Sequence, residues 1–214
     1  ANDEFKANLL TEEAKANVLE IDLIAAGVGD LEEFQVPSMD MYSAGYAGTP
    51  WKNILYVNNE TRTVARWPNG EYHASDIVGA WDGSRTLLSV PAEKAALWSR
   101  YNDIHAYGFG GFCWAPSFTD DVRADAENSA VSIAASYTIK EGDRKKHFYI
   151  WNVPCELDEP GEYFIDAEAD KLYYWPKENI GTAKISLGNV SEWFISLSEC
   201  SHIVLDGLTA ENLS

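Results

Sequence analysis

Glu162 and Asp166 are the first residues whose types and spacing bear on chemistry, because glycoside hydrolysis runs on a pair of carboxyl groups. That pair must lie about 5 to 5.5 Å apart for retention or about 6.5 to 9.5 Å for inversion, with one member held protonated by its surroundings. Four residues along a strand leave two side chains on one face but about 13 Å apart, too far to act on one bond. Asp120, Asp121 and Asp125, with Glu127 beside them, gather carboxylates in one loop and are the candidate calcium ligands, since that ion takes oxygen donors. The loop lacks EF-hand spacing, and in a chain with 34 acidic residues a solvated cluster is the default reading. The histidines, His73, His105, His147 and His202, show no paired metal-ligand spacing, and no G-x-S-x-G elbow accompanies the serines. The GFGG run at 108–111 lacks a following Lys-Ser/Thr, so it is no phosphate loop; it reads as a turn permitting close backbone approach. Cys113, Cys155 and Cys200 lie far apart without CxxC spacing. One internal bridge at most could join them, and packing as small buried apolar groups is the simpler reading. No catalytic residue and no cofactor is assigned.

The compositional feature that points to a ligand is aromatic content, 13% with eight tryptophans. Flat rings stack on the apolar faces of sugars, and Trp and Tyr add a polar handle for hydroxyls. Tyr101, Tyr107, Phe109, Phe112, Trp114 and Phe118 fall in one Gly-punctuated segment, and Tyr107, Trp114 and Phe118 are the candidate substrate-binding residues. Aromatics in a β-sandwich commonly fill the core instead, and Trp67, Trp151 and Trp175, which sit on strand-like runs, are read that way. Arg66, beside Trp67, is expected to pair with an acid or stack on an aromatic face.

These residues need elements to hold them, and the patterns are mostly β. TEEAKANV at 11–18 opens with a capping residue and two acids, which suits one or two helical turns entering the strand-like 18–27. Residues 29–50 read as a loop. Asn58-Asn59 between β-branched runs at 54–57 and 61–67 marks a hairpin, since Asn tolerates the positive φ of a primed turn. Further strands are expected at 86–90, 130–139, 147–151, 162–166 and 171–175, with one short helix that holds Pro91 in its first turn. Asp158-Glu159-Pro160-Gly161 has the residues of a type II turn leading into a second hairpin. The runs KISLG, WFISLS and HIVLDGLTA are each too short to bury a face alone and read as rungs of a solenoid that stops unfinished.

A formal charge of −18, from 16 basic and 34 acidic residues, repels phosphate backbones, so nucleic acid is not an expected partner. The same field favours a neutral sugar over a polyanionic one unless calcium or a local basic patch screens it. Charged residues interrupt every apolar stretch well short of the ~20 residues a bilayer span needs. ANDEFKANLL shows no signal-peptide pattern.

Three segments, ILYVNNETRTVARWPN (54–69), NVPCELDEPGEYFIDAEADKLYYWP (152–176) and SHIVLDGLTAENLS (201–214), together resemble the family of bacterial proteins built on a right-handed parallel β-helix with an inserted β-sandwich-like domain, some of them glycoside hydrolases. The middle segment is the most specific, being similar to that family's "LDEPGEWYLD…LYYWP" pattern. The resemblance implies an all-β chain: an entry segment at 1–28, an inserted β-sandwich-like or barrel-like domain with one or two short helices at 29–181, and truncated rungs at 182–214. It further implies an extracellular, periplasmic or cell-surface location, the remainder of a parent β-helix as partner, and catalytic carboxylates on later coils. The expected function is a non-catalytic β domain that shapes or covers the groove for a neutral poly- or oligosaccharide. An independent carbohydrate-binding module with an aromatic platform is one alternative, and a self-contained glycosidase is another.

Overall fold

The computed structural model describes residues 1–28, 53–80, 85–109, 117–119, 122–133, 145–188 and 194–212. Within them lie three short helices, α1 Asp3–Lys6, α2 Glu12–Asn17 and α3 Ala92–Trp98. The strands in chain order are β1 Leu19–Asp22, β2 Ile54–Val57, β3 Glu60–Thr61, β4 Thr63–Val64, β5 Arg66–Trp67, β6 His73–Ser75, β7 Ile77–Ala80 and β8 Thr86–Ser89, followed by β9 His105–Phe109, β10 Ser117–Thr119, β11 Val122–Asp125, β12 Ala130–Ile133, β13 Lys146–Trp151, β14 Glu162–Asp166, β15 Lys171–Tyr174 and β16 Ile185–Gly188. The chain is mainly β, as expected. The four sheets run β1-β15-β14-β4, β10-β9-β13-β5 with β6 also on β13, β11-β12-β8-β7, and β16-β2-β3. Each is an open run, so no barrel closes among the described residues.

Local chemistry explains the elements read correctly. Thr11 caps α2 by accepting from the Ala14 amide at 3.0 Å, and Glu12 and Glu13 favour the positive end of the helix. Asn58 and Asn59 both take positive φ, 55° and 63°, as a primed two-residue turn requires between β2 and β3. In the second hairpin the Glu162 amide donates to the Glu159 carbonyl at 3.2 Å, and Gly161 has φ +99°, which gives the type II turn its middle. β14 then pairs antiparallel with β15, Tyr163 opposite Tyr174. Pro91 sits just before α3 rather than inside its first turn.

Packing arranges the sheets in layers. Tyr163, Ile165, Leu172 and Tyr174 point into one core with Leu55, Val57 and Trp151. Phe164 and Tyr173, one residue out of phase, point the other way onto Phe5 and Leu9 from α1 and the segment after it. Phe148, Ile150 and Ala106 turn toward a third core with Leu88, Val131, Ile133 and, from α3, Ala95 and Trp98. Trp98 lies fully buried there and donates to Glu156 at 2.6 Å. The β13 sheet is thus covered on both faces, one by the β8–β12 sheet and α3, the other by the β14–β15 hairpin and β2.

Three expectations change. The return strand expected as one run at 61–67 is broken into β3, β4 and β5, because its residues pair in turn with β2, β14 and β13. GFGG is not a turn at its first two residues: Gly108 and Phe109 lie on β9 in register with Phe148 and His147, while 110–111 fall outside the described residues. Close approach is nonetheless the reason for the glycine, since a Cβ at 108 would press on the His147 carbonyl and lie 2.5 Å from the Phe148 Cα. Finally, β16 pairs antiparallel with β2, and residues 194–212 carry no strand. Their apolar side chains are open to solvent, Val204 by 85%, so the start of a right-handed parallel β-helix expected over 182–214 is not shown.

Candidate functional site

β13 is the strand from which the site is built. His147, Tyr149 and Trp151 alternate onto one face, and the register sets Tyr107 of β9 opposite Tyr149 and Arg66 of β5 opposite Trp151. After β5 the chain turns through 68–72 and returns as β6, whose His73 pairs with Phe148, so Tyr72 arrives beside the same face. Three tyrosine rings meet there. Tyr72 stacks on Tyr149 at 5.4 Å between centroids and 19° between planes, Tyr107 lies 5.2 Å from Tyr149, and Tyr72 lies 6.2 Å from Tyr107. Tyr72 is 38% exposed and forms the outer lip.

Arg66 stands over this cluster with its guanidinium carbon 5.0 Å from the Tyr149 centroid, the cation–π arrangement allowed for by the sequence. Its Nη2 donates to the carbonyls of Asn69 at 2.9 Å and Gly70 at 3.2 Å, which fixes the turn to the strand. Asn69 in turn donates to Asp158 at 2.7 Å, and the Glu162 carboxylate accepts from the amides of Asp158 and Glu159 at 3.0 and 3.1 Å. The acidic turn of the second hairpin therefore braces the loop that carries Tyr72.

Two hollows of about 300 Å³ each share Arg66 and Tyr149. One is lined by Glu71, Tyr72 and His147; the other is floored by Trp151, Tyr163 and Val64 and bordered by Arg62. Burial, with the neighbouring Tyr72 and Tyr107 adding to it, pushes the Tyr149 hydroxyl well above its ordinary range, and burial does the same for Tyr107. Both phenols stay protonated at neutral pH and can donate. Flat rings, hydroxyl donors and a planar cation around an open concavity can hold a sugar by stacking on its C–H faces and bonding its hydroxyls.

Of the residues named from sequence, Tyr107 lies in this cluster. Phe118 lies on β10 as the register partner of Tyr107, its side chain outside the description, and Trp114 lies outside the described residues altogether. Tyr72, Tyr149 and Arg62 were not singled out; the first two are separated by 77 positions in sequence, and only strand pairing joins them. Asp120 and Asp121 fall outside the described residues, whereas Asp125 accepts from the Asn128 amide at 3.1 Å and its side-chain nitrogen at 2.6 Å. That hydrogen bonding lowers the Asp125 pKa and serves the β11–β12 turn. Among the described residues no three His, Cys, Asp or Glu side chains converge to hold a metal ion.

The other candidates have structural work. Asp166 accepts from the Ala169 amide at 3.0 Å in the turn before β15. His105 is buried against Trp151, with Asp103 at 2.9 Å, and His73 meets the Ser89 carbonyl at 3.1 Å. Trp151 and Trp175 are buried as expected, and Trp67 packs edge-on to Trp98. Cys155 is a buried free thiol; Cys200 is free but exposed, contrary to the buried reading, because the segment around it lies open to solvent.

No family model matches the chain, and no curated protein matches it. One solved structure that it is similar to is described as a glycoside hydrolase, at 16% identity and a TM-score of 0.49, over 68% of this chain. The match spans 28% of that protein's length. No helix among the described residues is long and apolar enough to cross a membrane.

Proposed function

We propose that this chain is a carbohydrate-binding β domain of a larger glycan-active protein, with the hollow around Tyr72, Tyr107, Tyr149 and Arg66 holding the sugar. The observation that carries the reading is the half-open stack of three tyrosines beside a guanidinium. The domain contributes recognition rather than bond cleavage: Glu71 is the one carboxylate among the described residues lining the two hollows, and hydrolysis takes two. The division into entry, inserted and solenoid segments, the parent β-helix and an extracytoplasmic location belong to this proposal through the resemblance of 152–176 to the LDEPGEWYLD pattern.

Isothermal titration of the chain against a panel of neutral and acidic oligosaccharides tests it. At least one member is expected to bind in the micromolar to millimolar range, and Tyr149→Ala is expected to weaken it about tenfold, as befits loss of one stacking ring. Heat-silent titrations across the panel overturn the reading.

A further inference from the structure

Arg66 distinguishes this hollow from a neutral sugar platform. In a chain with 34 acidic and 16 basic residues, a partly buried cation ordinarily finds a carboxylate. Arg62, four positions earlier, does: it is bound by Glu60 and Glu178, both at 3.3 Å, and by the Tyr174 hydroxyl at 3.0 Å. Arg66 is ion-paired to no carboxylate among the described residues. Its Nη2 meets two backbone carbonyls, its Nε is buried with no hydrogen-bond partner, and the guanidinium also reaches the Tyr149 hydroxyl. Glu71 lines the same hollow without pairing with it.

We propose that the hollow is selective for a carboxylate-bearing sugar, a uronic acid residue, whose carboxylate meets Arg66 while the ring stacks on the tyrosines. This rests on the carbohydrate-binding reading and replaces the neutral sugar expected from the net charge. With Nη2 held by two carbonyls and Nε buried, the guanidinium still offers its charge, and a charge-assisted N–H bond to a carboxylate is about twice as strong as one to a neutral hydroxyl. The overall charge of −18 does not prevent this. Exposed charges beyond about 8 Å are largely screened at physiological salt, and of the acids nearby Asp158 is engaged by Asn69 and Glu60 and Glu178 by Arg62, which leaves Glu71 as the acid at the hollow.

The test is calorimetric titration of the intact chain with tetragalacturonate and with its carboxyl-reduced counterpart, which differ in the carboxylates alone. The acidic form is expected to bind at least tenfold more tightly at low salt, with that ratio shrinking as sodium chloride is raised. Arg66→Gln is expected to bring the ratio to about one and to weaken the reduced form as well, since it also frees the turn that carries Tyr72, with the far-ultraviolet dichroism of wild type reporting that the variant is folded. Arg66→Lys, which keeps the charge and loses the planar guanidinium over Tyr149, provides a second variant and should retain only part of the ratio. Equal binding of the two wild-type ligands, tighter binding of the reduced one, or a ratio unmoved by both substitutions overturns the inference. If neutral glycans bind and tetragalacturonate does not, the inference falls and the carbohydrate-binding reading stands. If no glycan binds, both fall.

Discussion

Among the described residues, Glu162 and Glu156 are the two acids the fold takes out of water, and each is held differently. Burial pushes Glu162 from an ordinary 4.5 up to about 8, outweighing the two amides that donate to it. The folded chain therefore keeps a proton that the unfolded chain releases, so the stability this site contributes is full below about pH 4.5 and is lost as pH climbs through 8. Glu162→Gln keeps an acceptor for the two amides and removes the titration; its denaturation midpoint is expected to gain on wild type steadily between pH 5 and 9. A constant offset across that range counts against the assignment. Glu156 is instead paired with Lys94 at 2.5 Å and accepts from Trp98. Removing one partner of a buried pair strands the other, so Lys94→Met is expected to destabilise by about 3 kcal/mol, and adding Glu156→Gln to recover part of the loss in urea titrations. Beside it, burial and the Glu156 charge push the Cys155 thiol up to about 12. Native-state alkylation followed by peptide mass analysis is expected to label Cys200 rapidly and Cys155 only on unfolding. None of these partnerships was legible in sequence, for Lys94 and Glu156 are 62 positions apart.

Elements were legible where their chemistry is local. Two asparagines next to a β-branched run, or Pro-Gly after two acids, specify backbone angles within four residues, and both hairpins form as those residues require. The fragmentation of 60–67 could not be read because a strand's partners are set by the rest of the fold, not by its own alternation. The aromatic run at 101–118 supplied one member of the tyrosine cluster, Tyr107, but its neighbours in space came from other strands. Gly108 is the element-scale test of the site. Any side chain there must push β9 off β13, so Gly108→Ala is expected to cost about 3 kcal/mol and to separate Tyr107 from Tyr149, with binding lost alongside.

At the scale of the molecule, the predominance of strands followed from composition and turn chemistry, whereas the stacking of four open sheets around three cores did not. The segment 194–212 touches the body through Glu211, on Lys184 at 3.1 Å and Asn59 at 3.3 Å, and through Asn212, on Ser186 at 2.7 Å and Asn59 at 3.4 Å, surface and half-buried polar contacts that contribute little. Deleting residues 194–214 is expected to shift the thermal midpoint by no more than a few degrees and to leave glycan titrations unchanged. By contrast, the stretch from Glu60 to Trp67 works as a shared seam. Arg62 donates to Leu55, Ala65 to Tyr163, and Asn152 to Ala65, at 2.7 to 2.8 Å. Three sheets are thus sewn by one thread eight residues long, and none can peel away while the others stay intact. Amide deuteration along that thread should lag until the three sheets open at once, and a single peptide-bond cut within it should release those three together.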